Sequence, residues 1–167
     1  MRRAAAVLGK ILNGIVMVIL ILVLAFCVAK VGGIDAYVVR SGSMEPAIQT
    51  GSLCFVNTHT PYDDIKAGDV IAFRIATGDL VTHRAITVTD QGIETKGDNN
   101  DTSDGISTDR TNYIGKTIFS IPEVGRALVL ISQPKGIILI LTAIFAVRIV
   151  GSLLLTAKKE PEEEEKA

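Results

Sequence analysis

The sequence predicts a small, mostly antiparallel β catalytic-type domain with barrel-like sheets, flanked by two transmembrane helices. Three observations carry this expectation. Two long apolar runs, Ile11–Ala29 and Ile137–Leu155, bracket a mixed and polar middle. That middle holds strand-like runs at Ala36–Arg40, Leu53–Asn57, Val70–Arg74, Leu80–Thr89 and Tyr113–Ile121. They are rich in Val, Ile, Thr and Phe and are separated by Gly, Asp, Asn and Pro clusters. No helix-period stretch of any length intervenes before Val124–Ser132.

The elements follow in order. Residues 1–10 carry Arg2, Arg3 and Lys10 and are expected on the cytoplasmic side. Residues 11–31 form the first span: at about 1.5 Å per residue this length crosses a hydrocarbon core of about 30 Å. A cleaved signal peptide has the same basic start and apolar centre. Leu24-Ala25-Phe26-Cys27 even resembles a lipoprotein cleavage site, but Phe26 is too large before the cysteine and the run is long. An uncleaved anchor is therefore expected. Residues 32–135 are the extracytoplasmic β domain, too short to build a large core. Residues 136–156 form the second span, with one charge, Arg148. An ionisable residue within a span is a functional suspect, but Arg148 lies at the end flanked by Lys158 and Lys159, where it can snorkel to the interface. The acidic tail, 157–167, is expected to be cytoplasmic and solvated.

The totals bound the function. The 167 residues imply one compact domain, and 48% hydrophobic residues with a mean hydropathy of +0.39 favour a membrane protein. With 17 basic and 18 acidic residues there is no basic surplus for nucleic acid, and no zinc-type Cys/His cluster. Cys27 would lie within the bilayer, so a bridge to Cys54 is not expected; both read as small apolar fillers. No cofactor or metal is expected.

Three stretches carry chemistry. Ser41-Gly42-Ser43-Met44-Glu45-Pro46 reads as a tight turn displaying one hydroxyl. Gly42 allows a bend where a side chain would clash, and Pro46 biases Glu45 away from helix. Gly68-Asp69-Val70-Ile71-Ala72-Phe73-Arg74 runs on to His83-Arg84, and Lys96-Gly97-Asp98-Asn99-Asn100 runs on to Asp104. Alone, each is weak; an isolated Ser-Gly-Ser is usually a polar turn. In this order, downstream of an anchor, they resemble the type I signal peptidases. The resemblance is to the branch with a Ser-His pair, found in the endoplasmic reticulum, in archaea and in some Gram-positive bacteria. It covers most of the chain between the apolar runs.

The resemblance implies a membrane-bound serine endopeptidase that cleaves signal peptides from exported pre-proteins after small residues, at A-x-A-like sites. Ser43 would be the nucleophile, which at neutral pH needs a neighbouring base. Of the two histidines, His59 falls in a loop-like stretch, and His83 sits mid-strand on one face with Val81 and Ala85, at the family's base position. An imidazole, with a reference pKa near roughly 6.5, suits that step. Lys66 and Lys96 are the candidates for the Ser-Lys alternative, both beside turn-like glycines where exposure is expected.

Asp104 is assigned as the orienting carboxylate and Asp98 as loop support, with Asp101 and Asp109 on the surface. Ser43 N–H and the Ser41 hydroxyl are assigned to the oxyanion. Met44 is expected to stand outside the simple core and to meet substrate. A calcium reading of Asp98–Gly105 fails the EF-hand pattern, with Ser103 at its sixth position and Asp109 at its twelfth. The partners implied are pre-proteins, the lipid bilayer and the export translocon, with the domain on the extracytoplasmic face of the cell membrane. The reading from a different class is a non-catalytic two-span scaffold with a partner-binding outer β domain. A self-cleaving Ser-Lys switch is a third reading, which the anchors disfavour.

Overall fold

The structure, a computed structural model, describes residues 2–139 together with Thr142, Phe145, Ala146 and Ile149. The chain falls into two compact units, Met1–Leu22 with Val129–Ala167, and Val23–Leu128. Helix α1 spans Arg2–Val31, and its segment Asn13–Val31, of mean hydropathy 2.9, is long and apolar enough to cross a membrane. It ends at Gly32-Gly33: Gly32 N–H bonds the Val28 carbonyl, and Gly33 takes a φ of 78°, which a side chain would strain. Among the described residues this is the one helix of that length and apolarity. The second expected span, residues 136–156 with Arg148, lies largely outside the described residues, and the tail 157–167 wholly so.

The second unit is built on one antiparallel sheet. Its strands are β1 (Ile34–Val38), β2 (Leu53–Asn57), β3 (Val70–Arg74), β4 (Leu80–Thr89), β5 (Gly92–Lys96), β6 (Ile106–Thr108) and β7 (Tyr113–Ile121). They lie in the order β1-β2-β7-β3-β4-β5-β6, so β7 returns to the middle and inserts between β2 and β3. The register shifts at Phe55/Val56, Ala72/Phe73, Ala85/Thr87 and Ile93/Glu94, where the pairing becomes irregular; breaks of this kind bend and twist a sheet. Helix α2 (Val124–Ser132) follows β7.

Four of the expected strands have their expected bounds. The first is corrected: it begins at Ile34 and ends at Val38, because Arg40 already leaves for the next turn. Two strands, β5 and β6, were not legible as separate runs. β5 is short and half polar, and β6 has three residues, so neither shows a period.

Two apolar clusters fill the domain. Ile65, Ile71, Phe73, Ala85 and Ile93 form one, with Tyr62, Val81 and Tyr113 packed against it. Full burial of a side chain such as Phe73 stabilises by about 1.5–3 kcal/mol. The other holds Met44, Ile48 and Cys54, with Val39 and Val70 against it. This second cluster lies directly beneath the Ser43 turn, since Met44 is part of both.

Candidate active site

The turn that carries Ser43 is fixed from within and from below. Glu45 N–H bonds the Gly42 carbonyl at 3.1 Å, and Ile48 N–H bonds the Met44 carbonyl at 2.8 Å. The Glu45 carboxylate closes the loop, accepting from Thr50 Oγ1 at 2.8 Å and Thr50 N–H at 3.1 Å. Those bonds hold the Glu45 carboxyl below its ordinary pKa, the Thr50 hydroxyl contributing most. Gly42 approaches this carboxyl closely, so that an added Cβ would lie 3.3 Å from it. The Glu45–Pro46 bond is cis. Met44 is 2% exposed and anchors the turn in the core, which corrects the expectation that it stands outside. The physical reason is what lies beneath the turn: Ile48 and Cys54 offer the Met44 side chain an apolar cluster to pack in. Cys54 is buried there as a free thiol, and burial raises its pKa.

The sheet supplies the other groups. Strand pairing sets Ile71 opposite His83 and Thr95 opposite Ala85, so His83 lies on the core face of β4. His83 is 8% exposed, with its ring edge-on to Phe73. The loop after β5 doubles back: Asp104 N–H bonds the Thr95 carbonyl at 2.8 Å, and Thr95 N–H bonds the Gly105 carbonyl at 3.3 Å. This extends the β5–β6 pairing by one step and sets the Asp104 side chain beside the imidazole. The result is a continuous chain of contacts: Ser43 Oγ to His83 Nε2 at 3.0 Å, and His83 Nδ1 to Asp104 Oδ2 at 2.6 Å. A carboxylate can only accept, so Nδ1 carries a proton, and in the neutral imidazole Nε2 then presents its lone pair to the Ser43 hydroxyl. In that tautomer the imidazole can take a proton from Ser43.

The loop also touches the turn directly. Asn99 N–H bonds the Ser43 carbonyl at 2.8 Å, and a Cβ on Gly97 would stand 2.6 Å from that same oxygen. Only a residue without a side chain lets the two backbones meet this closely. Ser41 Oγ lies 3.3 Å from Ser43 Oγ, and among the described residues the Ser43 N–H donates to no protein acceptor.

Asp98 is directed elsewhere. Its carboxylate binds Arg84 bidentately, at 2.8 Å from Nε and 2.6 Å from Nη2, and Arg84 Nη1 reaches the Gly68 carbonyl at 2.8 Å. Arg84 lies on the face of β4 opposite His83, and the Asp98 bond holds its pKa above the ordinary value. This clamp ties the start of the acidic loop to the turn before β3. Asp101 and Asp109 are exposed, and Asp109 Oδ1 caps its own turn through the Thr111 and Asn112 N–H groups. Within the oxygen-rich loop, Ser103 bonds Glu94 at 2.6 Å and Asp104 bonds His83. His59 is exposed, and among the described residues no lysine bonds Ser43.

Sequence reasoning missed four contributors. Gly97 and Asn99 were read only as parts of the acidic stretch, and Thr95 and Ser107 not at all. Thr95 donates to Asp104 Oδ2 at 2.6 Å, with Ser107 Oγ 2.7 Å from the Thr95 hydroxyl. Their signal was absent because a lone Thr or Ser in a strand is ordinary.

The bent antiparallel sheet thus presents a hydroxyl, an imidazole and a carboxylate in series, the kinds of group that acyl-transfer hydrolases use. Residues 12–113 match the family described as signal peptidase, peptidase S26, and the chain belongs to that family of type I signal peptidases. It is 40% identical to signal peptidase I W of Bacillus subtilis, over 50% of this chain and 47% of that protein. It is 36% identical to the signal peptidase complex catalytic subunit of Homo sapiens, over 59% of this chain and 58% of that one. Against the corresponding subunit of Sclerotinia sclerotiorum it is 32% identical, over 58% of this chain and 63% of that protein. The chain thus spans about half to under two thirds of the length of the curated relatives it matches.

Proposed function

We propose that this protein is a membrane-bound serine endopeptidase that removes signal peptides from exported pre-proteins, cutting after small residues at A-x-A-like sites. The observation that carries this reading is the series Ser43–His83–Asp104, joined by contacts of 3.0 and 2.6 Å in a chain of the S26 family. Ser43 Oγ attacks the scissile carbonyl as His83 Nε2 takes its proton. Asp104 holds the imidazole in the required tautomer and stabilises the imidazolium that forms. Ser43 N–H and the Ser41 hydroxyl receive the developing oxyanion, a donor of this kind being worth about 2.7–4 kcal/mol. His83 then returns the proton to the departing amine, and a water deprotonated by the same base releases the acyl chain from Ser43.

In this reading residues 11–31 and 136–156 span the bilayer, and residues 32–135 lie on its outer face, near the export translocon. The substrate's own apolar segment sits in the same bilayer. Sharing one plane lowers the entropic cost of their meeting.

The test uses membranes containing the full chain and one radiolabelled pre-protein. Cleavage is expected with the native chain, and loss of cleavage with Ser43→Ala and with His83→Ala, while His59→Ala stays active. Undiminished cleavage by Ser43→Ala would return the protein to the scaffold reading.

A further inference from the structure

We infer that Thr95 is a positioning residue for Asp104, and through it for His83; this rests on the function proposed above. Thr95 is fully buried on β5, and its hydroxyl meets the same carboxylate oxygen, Asp104 Oδ2, that meets His83 Nδ1, each at 2.6 Å. The inventory of protons fixes the direction of every bond. Asp104 only accepts, so the single hydroxyl proton of Thr95 is committed to it. The 2.7 Å contact between Thr95 and Ser107 must then run from Ser107 to Thr95. Ser107 has no second proton, so its 3.4 Å contact with the buried Thr108 hydroxyl has Thr108 as donor. Two hydroxyls, those of Ser107 and Thr95, therefore line up toward one carboxylate oxygen, and the first polarises the second.

Backbone bonds hold the same two residues together: Asp104 N–H to the Thr95 carbonyl, and Thr95 N–H to the Gly105 carbonyl. Asp104 sits in the loop just before β6, and its side chain has about a quarter of its surface exposed. Nothing in the loop itself would choose the rotamer that turns Oδ2 to the imidazole. The Thr95 hydroxyl, rigid in the strand, does. Of the charged groups around these strands, Arg84 pairs with Asp98, Asp69 with Lys116, and Glu94 bonds Ser103. Thr95 makes no hydrogen bond to Ser43, so its effect reaches the base only through Asp104.

The experiment is steady-state cleavage of one pre-protein by the full chain in detergent micelles, at matched concentrations of folded enzyme. Thr95→Val keeps the shape and the strand preference and removes only the hydroxyl. It is expected to lower kcat by about 10- to 100-fold with KM unchanged, the range of a lost hydrogen bond to a charged group. Thr95→Ser should restore most of that turnover. In an Asp104→Asn background Thr95→Val should cost little further, because the group it acts through is gone.

A folded Thr95→Val enzyme with native kcat overturns the inference, as does a loss confined to KM or one fully retained in the Asp104→Asn background. If Thr95→Val does not accumulate, Ser107→Ala is read in the same way: a loss in kcat that vanishes with Asp104→Asn supports the role, and an unchanged kcat overturns it. Ser43→Ala and His83→Ala on the same substrate separate the two claims. If either cleaves normally the proposed function falls; if both are inactive and Thr95→Val is unimpaired, only the role of Thr95 falls.

Discussion

Two carboxylates in one loop, Asp98 and Asp104, meet opposite fates because they face different partners. Asp98 pairs with a guanidinium that is always charged, Asp104 with an imidazole whose charge can change. The first arrangement suits anchoring, the second proton transfer. Asp104→Asn is therefore expected to lower turnover by a factor on the order of 10⁴, the size of the equivalent change in a serine protease triad. The amide can present its N–H to Nδ1 and so favour the wrong tautomer. Asp98→Asn loses one partly exposed ion pair, a stability cost of about 1 kcal/mol or less, with a modest fall in rate. Turnover of one pre-protein by both variants, at matched protein level, checks this. A normal Asp104→Asn beside an inactive Asp98→Asn would invert the roles.

At the scale of elements, the site depends on how closely the β5–β6 loop approaches the Ser43 turn. Neither belongs to the regular sheet. They meet through Asn99 N–H on the Ser43 carbonyl and through the bare backbone of Gly97. A methyl group at Gly97 would stand 2.6 Å from that carbonyl oxygen, a contact the backbone can relieve only by separating the two loops. Gly97→Ala is expected to destabilise the domain by about 1–3 kcal/mol, the usual cost of overpacking, and to lower kcat because His83 and Asp104 move from Ser43. Thermal unfolding and cleavage should fall together. A variant with native melting temperature and native rate would show that the loop does not need this contact.

For the whole molecule the expectation is a topology. Arg2, Arg3 and Lys10 precede the first apolar run, and Lys158 and Lys159 follow the second. Basic flanks are retained in the cytoplasm, so both termini should lie there with residues 32–135 outside. Single cysteines placed in the tail and in the domain, on a chain with Cys27 and Cys54 replaced, can be probed with an impermeant thiol reagent. Labelling of the domain position alone in intact cells is the expected result. Labelling of the tail from outside would rule out the second span.

The strands with a clear period or a long β-branched run, Leu53–Asn57, Val70–Arg74, Leu80–Thr89 and Tyr113–Ile121, were legible because local pattern alone specifies them. The long apolar helix Arg2–Val31 was legible from length and apolarity. Ser43, His83 and Asp104 could be named only because three short stretches resemble a family; nothing in their spacing brings a serine, a histidine and an aspartate together. Long-range pairing does that. β4 sets His83 on the core face, the backbone of Thr95 draws Asp104 across β5, and Gly97 lets the loop reach the Ser43 turn. Met44 shows the same limit from the other side, since whether an apolar residue beside a nucleophile faces substrate or core is set by what lies beneath the turn. The sequence by itself determined the longer strands and the first apolar helix, which depend on neighbours along the chain. The contacts among turn, strand and loop depend on neighbours across the sheet, and only the tertiary structure decided them.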